Sequence, residues 1–447
     1  MLKNKFYLYG NDAEATLPAH LHLGKYMLNK FKSFGDHEAI INAATDERMT
    51  FKELTQLTVD IALSLVHIGV KNGDVVSICS ENAFIEKIII FGEPIEEAIG
   101  FKEFLTQHAN VDDFDTAPVN PLEDAALILF SSGTTGMPKG IRMTHYNYLV
   151  VLHTWYSEIY TDWYISFGQT ITFFLHQMGL ALVYYNNSDE KKYLEIVQDY
   201  KIDFIASTPT GINLILKQEN MYDISSLKSI VVTGAPCDGL MLQAIKEKLP
   251  NPMLVYQYYG MSETGTISSP RRAPGNPPMK SVGIVRDLFV VKILDLNSRN
   301  PVGANQRGEI CFKSPSLTKG YIGGPVDCFD EDGFFKTGDI GYYDEDKYLY
   351  VVDRIKDVIK YDSFTLPPAE MEAVLLQHPA VLEVGVVGAP HETFGELATA
   401  FCSAETWSHG NRKGTLRMPL AGGVRFIDKI PRCIGVKVDR KKLKQML

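Results

Sequence analysis

Three short segments carry residue types at spacings suited to phosphate chemistry. The first is Ser131-Ser132-Gly133-Thr134-Thr135-Gly136-Met137-Pro138-Lys139-Gly140. Its glycines let backbone N–H groups approach an anion closely, its hydroxyls add donors, and Lys139 adds a mobile positive charge. It is not a Walker A loop, which needs Gly where Pro138 stands and Ser or Thr where Gly140 stands. The second is Tyr256-Gln257-Tyr258-Tyr259-Gly260-Met261-Ser262-Glu263-Thr264. Aromatic rings can stack on a purine, Ser262 and Thr264 can donate to phosphate oxygens, and Glu263 offers an oxygen ligand to a hard cation such as Mg2+. The third runs from Phe335-Lys336-Thr337-Gly338-Asp339 to Asp353-Arg354-Ile355-Lys356 and on to Lys360. Asp339, after a glycine turn, could accept both hydroxyls of a ribose, and Arg354 could complement phosphate or ribose. Each segment alone also fits an ordinary structure: a Gly/Ser/Thr surface turn, a core strand entering a solvated loop, or a β-hairpin with a turn aspartate and a solvated charge run around Lys356.

The elements that must position these residues read as alternating helix and strand. Ala125 to Phe130 is a strand ahead of the first segment. Ile141-Arg142-Met143 is a second strand, before a helix capped by Thr144, so the segment between them reads as a flap rather than a helix N-terminus. Thr50 and Glu53 fit a capping box that opens an amphipathic helix to about Val66. Val75-Val76-Ser77-Ile78-Cys79, a stretch centred on Ile205, and Ser229 to Thr233, ended by Gly234, read as buried strands. That rhythm predicts an α/β fold with a largely parallel sheet covered on both faces. Near Asp353 the pattern changes to a compact unit with a helix from Pro368 to about Gln377 and a strand from Val381 to Val387. Pro368 suits the first helical position, where its missing N–H costs nothing.

Composition bounds the function. A chain of 447 residues that is 45% hydrophobic and 22% charged implies two or more folded domains. A formal net charge of -10 gives no electrostatic support for a nucleic-acid partner. The six cysteines form no CxxC pair, which argues against a structural metal. Apolar runs such as Ile88-Ile89-Ile90 are strand-length, so no membrane span is expected. The N-terminal Met1 to Phe6 lacks the apolar core of a signal peptide, so an intracellular protein is expected.

In this order, the three segments resemble the adenylate-forming (AMP-binding) superfamily, which holds acyl-CoA synthetases, coumarate–CoA ligases, beetle luciferases and the adenylation domains of peptide synthetases. The resemblance covers about Gly35 to Lys444. Smaller elements agree: Gly234-Ala235-Pro236 stands where the family places backbone beside adenine and acyl group. Phe174 to Gly179, with His176, resembles the element lining the acid pocket, and Pro431 to Lys437 resembles the element ending in the catalytic lysine. The resemblance implies a large N-terminal domain of mixed, mostly parallel sheets flanked by helices over residues 1–353, a hinge at 354–356, and a small α+β C-terminal domain over 357–447. It implies ATP, Mg2+ and coenzyme A, with a small carboxylic acid, fatty or aromatic, as substrate. Lys437, Ser262 and His176 would be catalytic. Glu263 would hold the metal. The 131–140 loop, Gly234 to Pro236, Gln257 to Gly260, Asp339, Arg354, Lys356 and Lys360 would bind nucleotide or coenzyme A. Oligomeric state is left open.

The chain also departs from the family pattern. Stretches are missing after Phe84, after Leu182 and near Trp407 to Leu416. Val436 rather than Gly precedes Lys437, and Ser363 replaces the glycine expected after Lys360-Tyr361-Asp362. A catalytically impaired relative that binds nucleotide or acid, and a luciferase-type monooxygenase, would carry the same apparatus. Many relatives are peroxisomal, but the tail Gln445-Met446-Leu447 is not Ser-Lys-Leu, which leaves cytoplasm or peroxisome.

Overall fold

The computed structural model describes residues 6–10, 18–76, 88–90, 98–106, 111–131, 139–154, 172–173, 175–184, 190–207, 209, 221–234, 237, 239–248, 254–270, 277–323, 328–362, 364–376, 378, 380–403, 420–432 and 438–447. Local chemistry sets several element ends. The Thr50 hydroxyl accepts from the Glu53 amide at 3.2 Å, and the Glu53 carboxylate accepts from the Thr50 amide at 2.7 Å. The capping box therefore closes in both directions and starts the helix Phe51–His67. Thr144 caps the helix His145–Thr154 through its bond with the Asn147 amide. Pro368 is the first residue of the helix Pro368–Leu375, as its lack of an N–H favours.

Strands Phe204–Ser207, Ser229–Val232 and Leu254–Gln257 pair in parallel, with Ser229–Val232 in the middle. Ile230, Val231 and Val232 are all fully buried, as a strand covered on both faces requires. A second group, Arg48–Thr50, Glu38–Asn42 and Leu182–Tyr184, adds one antiparallel and one parallel pairing. Strands Ala125–Ser131 and Lys139–Thr144 form the expected antiparallel pair around the first segment. One core joins their residues Leu129, Ile141 and Met143 to Phe31, Phe51, Leu149 and Tyr258.

The α/β class and the separate C-terminal unit are as the sequence leads one to expect, but parallel pairing is narrower. Among the described strands, antiparallel ladders outnumber parallel ones, because the residues after 258 form hairpins with short connections. Five antiparallel strands run in the order Tyr7–Tyr9, Val290–Leu294, Gly308–Lys313, Phe335–Tyr343, Leu349–Arg354. Val75 and Val76 are exposed and in no strand, and the rest of the strand expected there lies outside the described residues. The C-terminal unit has its own core of Ile359, Met371, Leu375, Val384, Val386 and Ala400. Its long hairpin pairs Glu383–His391 with Gly395–Ser403.

The capping box makes a direct prediction. Thr50→Ala removes one of the two reciprocal bonds and is expected to lower unfolding free energy by about 1 kcal/mol. Urea denaturation followed by circular dichroism measures this, and an unchanged midpoint would contradict it.

Candidate active site

Asp339 lies where a strand departs from regular pairing. Glu309 pairs with Ile340 and Cys311 with Lys336, so Thr337, Gly338 and Asp339 together oppose a single residue. This bulge re-aims the chain next to the site. Gly338 takes φ 73°, a left-handed conformation that glycine adopts without strain. Its amide donates to Glu309 at 3.1 Å, and the Asp339 amide donates to the Thr337 hydroxyl at 3.0 Å. The Asp339 side chain is thereby turned into the protein.

Two other segments meet it there. The Tyr259 hydroxyl donates to Oδ2 of Asp339 at 2.8 Å, and Nε of Arg354 lies 3.0 Å from Oδ1. Asp339 is only 5% exposed. Its charge holds the Arg354 guanidinium firmly protonated, and Tyr259, Asp357 and Glu263 push the same way. Burial first, and the Asp339 charge second, raise the Tyr259 phenol well above its ordinary range, so it stays a donor. The second and third segments thus touch, and Glu263 lies within electrostatic reach of Arg354.

Glu263 is tied to the first segment. The Tyr321 hydroxyl donates to Oε1 of Glu263 at 2.8 Å, and the Thr318 amide donates to the Glu263 carbonyl at 2.8 Å. The segment from Thr318 to Ile322 then runs along the strand Lys139–Thr144. The Ile322 amide donates to the Gly140 carbonyl at 2.7 Å, and the Arg142 amide to the Gly320 carbonyl at 3.0 Å. The Thr318 hydroxyl donates to the Arg142 carbonyl at 2.6 Å. Nζ of Lys139 lies 5.4 Å from the centre of the Tyr321 ring. Tyr321 and Thr318 were not legible as site residues; a tyrosine after a single glycine in a polar stretch carries no distinct signal.

The remaining candidates fall as follows. Ser131 pairs with Lys139 at the mouth of the hairpin, while Ser132, Gly133, Thr134, Thr135 and Gly136 lie outside the described residues. Gly234 ends the central parallel strand at φ 85°, and Ala235 and Pro236 lie outside the description. Gln257 is buried, and in the orientation that satisfies both groups its amide makes two 3.0 Å bonds with the Cys237 backbone. Tyr258 and Tyr259 are both buried, the latter as a donor to Asp339 rather than as an open stacking face. Gly260 packs so closely that a Cβ would lie 2.4 Å from the Gly265 carbonyl oxygen. Ser262 is half-buried in the turn leading to Glu263. Lys356 is exposed on the turn after Arg354, and Lys360 is exposed in the C-terminal unit, where its amide donates to Glu396 at 2.9 Å. Lys437 and Ser363 lie outside the described residues. The ends of the Lys437 segment are joined by a bridge between Arg432 and Val438 and by the Asp439 amide donating to the Pro431 carbonyl at 2.8 Å.

His176, expected to be catalytic, lies in an aromatic cluster. Its ring stands edge-on to Phe31 and Phe51, is 4% exposed, and bonds the Ala39 carbonyl through Nε2 at 3.2 Å. Burial pushes its pKa down to about 4, with the Ala39 bond opposing. The ring is therefore neutral at pH 7 and anchored to a main-chain carbonyl among aromatic side chains.

A buried carboxylate at Glu263 with hydroxyls nearby suits a hard cation such as Mg2+. Among the described residues no group of three or more His, Cys, Asp or Glu converges, so phosphate oxygens and water would complete such a site. No described helix is long and apolar enough to cross a membrane.

The AMP-binding enzyme family description matches residues 85–322, and that of the AMP-binding enzyme C-terminal domain matches residues 370–431. The chain is 35% identical over 363 residues to luciferin 4-monooxygenase of Nipponoluciola cruciata, covering 75% of this chain and 66% of that protein, just under two thirds of its length. It is 27% identical over 532 residues to 4-coumarate–CoA ligase of Pinus taeda, covering 100% of this chain and 99% of that protein. An alignment of 532 positions against 447 residues means that stretches of the ligase have no counterpart here. The crystal structure of the anthranilate CoA ligase AuaEII in complex with anthranoyl-AMP superposes with a TM-score of 0.82 at 20% identity, covering 97% of this chain and 98% of that one. That likeness speaks to the fold.

The His176 environment sets a pH dependence. Unfolded, the ring takes up a proton near pH 6.5; folded, it resists down to about 4. This contribution to stability is therefore complete above pH 6.5 and is lost as pH falls toward 4. His176→Gln removes the titration, and its stability loss between about pH 7 and about pH 5 should be smaller by roughly 2 kcal/mol. Urea midpoints at both pH values test this; parallel losses in both proteins would refute it.

Proposed function

The chain belongs to the AMP-binding enzyme family, and from that premise we propose that it activates a small carboxylic acid with ATP and then passes the acyl group to coenzyme A. The observation that carries the proposal is the meeting of the three segments, the first of them joined through Tyr321: Asp339 with Tyr259 and Arg354, Glu263 with Tyr321, and Tyr321 with Lys139.

In the first step the carboxylate oxygen attacks the α-phosphorus of ATP. An acyl–O–P bond forms, the bond from the α-phosphorus to the bridging oxygen breaks, and pyrophosphate leaves. No protein nucleophile takes part; positioning and charge neutralisation lower the barrier. Asp339 would accept the ribose hydroxyls, with its carboxylate oriented by Tyr259 and Arg354. Lys139, with the loop before it, would hold the triphosphate, and Lys437 would bridge carboxylate and α-phosphate. Ser262 would donate to a phosphate oxygen. Glu263 would hold Mg2+, which when bound supplies positive charge against the leaving pyrophosphate.

In the second step the coenzyme A thiol sulfur, losing its proton, attacks the acyl carbon, the acyl–oxygen bond breaks, and AMP leaves. For this the C-terminal unit, residues 357–447, would turn about the hinge at 354–356 relative to residues 1–353. The tight turn after Arg354, with Lys356 at its exposed corner, supports that placement. The named substrates of the ligases reported above favour an aromatic acid, with a fatty acid as the other class. A second reading, an impaired nucleotide-binding relative, rests on the stretches of the coumarate ligase that have no counterpart here. A luciferase-type reaction on the same adenylate is separated by light emission with luciferin.

Pyrophosphate release across a panel of aromatic and fatty acids tests the proposal; the expected result is release that depends on one acid class. Lys437→Ala should lower that release by a factor on the order of 100 while leaving ATP affinity within a few-fold. Asp339→Ala should weaken ATP binding by about tenfold or more, as expected for loss of bonds to a charged acceptor. ATP binding without acid-dependent release would favour the impaired relative.

A further inference from the structure

The segment from Thr318 to Ile322 joins two parts of the site that are far apart in sequence. One end holds the backbone of Glu263 through the Thr318 amide, and the other pairs with Gly140 and Arg142 on the strand that starts at Lys139. Between these ends stands Tyr321, packed half-buried against the core that contains Leu129, Ile141 and Met143. Its hydroxyl reaches the Glu263 carboxylate at 2.8 Å, and its ring lies under the Lys139 ammonium at 5.4 Å. Glu263 is 6% exposed, and a buried carboxylate left to rotate would present either oxygen to a ligand.

We propose that Tyr321 is a positioning residue that fixes the orientation of the Glu263 carboxylate for a divalent cation and, through its ring, sets Lys139 beside it. The proposal rests on the nucleotide-binding reading above and extends it to a residue outside the three segments. The hydroxyl bond occupies one carboxylate oxygen and constrains the plane of the other. Outer partners of this kind tune metal affinity by fixing the ligand rather than by touching the metal. The ring acts separately: an ammonium over an aromatic face is attracted to it, which biases where Lys139 spends its time.

The two effects separate by substitution. Tyr321→Phe removes only the hydroxyl and keeps the ring, so packing against Ile141 and the contact with Lys139 persist. The experiment is direct ATP binding by the full chain, without acid, at a series of Mg2+ concentrations. Tyr321→Phe should raise the Mg2+ concentration for half-maximal ATP binding by about tenfold, with ATP affinity at saturating Mg2+ changed less than threefold. Glu263→Gln should raise it as well, and the double variant should show no further rise, because Tyr321 acts through Glu263. Tyr321→Leu should additionally weaken ATP binding at saturating Mg2+, through loss of the Lys139 contact.

A half-maximal concentration within twofold of the unsubstituted chain for Tyr321→Phe, or additive losses in the double variant, would overturn the proposal and leave the nucleotide-binding reading intact. Absence of any Mg2+-dependent ATP binding by the unsubstituted chain would remove both. Should Tyr321→Phe fold poorly by circular dichroism, Tyr321→Leu answers the same question: its rise in the Mg2+ concentration for half-maximal binding should vanish when combined with Glu263→Gln, and a further rise would overturn the proposal.

Discussion

A carboxylate at 5% exposure cannot stand alone, and Asp339 imposes this requirement on the rest of the site. Its two partners come from different places in the chain: Tyr259 from a hairpin that follows the parallel sheet, and Arg354 from the strand beside it in the antiparallel sheet. The two sheets must therefore dock in one register for the Tyr259 bond to form, while the Arg354 pair is made within one sheet. The apolar packing that secures the docking is shared, since Tyr259 and Ile267 lie in one core with Phe289, Phe312, Phe335 and Leu349. Breaking the ion pair from the Arg354 side would leave Asp339 buried with the tyrosine hydroxyl, a large penalty in a dry site but reduced here because Arg354 is 40% exposed.

The strand that ends at Arg354 serves two masters through its period of two. Arg354 turns to Asp339, and the residue before it, Asp353, turns the other way. Asp353 accepts from the Ala369 amide at 2.9 Å, at the start of the first C-terminal helix, and from the Arg354 amide at 2.8 Å. Burial raises its pKa to about 6, against the opposing pull of the Ala369 bond and Arg440. Arg440 itself grips Glu372 on that helix, with one of its bonds at 3.0 Å. Adjacent residues on one strand thus orient the proposed ribose acceptor and cap the helix of the smaller unit. A rotation at 354–356 would have to break or stretch the Asp353 bond before it reached Arg354.

Much of this frame could be read from the chain because it is local. Thr50 and Glu53 are three residues apart and bond each other; Lys139 and Ser131 close a loop between two strand patterns. The meeting of Glu263, Asp339 and Arg354 was legible only through resemblance, since no periodicity links residues so far apart. Tyr321 stayed hidden for the same reason, and because its role depends on which strand its segment lies against. Val75 and Val76, the two described residues of a run that meets the pattern for a buried strand, are exposed, since burial is decided by neighbours rather than by composition. The pocket-lining reading of His176 rests on resemblance alone. The aromatic rings that pack against it, Phe31 and Phe51, come from two helices more than a hundred residues earlier.

The division between buried and exposed candidates has a mechanical meaning. Asp339, Glu263 and Tyr259 are buried on strands or a tight turn, and each side chain is bonded to a partner, so they cannot drift by more than small amounts. Such rigidity suits a step whose catalysis is preorganised charge around a phosphate. Lys356 and Lys360, by contrast, stand exposed on the turn and hairpin that follow Arg354. Residues that must change neighbours between two half-reactions cannot be packed in a core, because each change would cost buried contacts. On the proposed function, fixed nucleotide contacts on buried strands and exchangeable ones on an exposed turn would let a single site run adenylation and thioester formation in sequence.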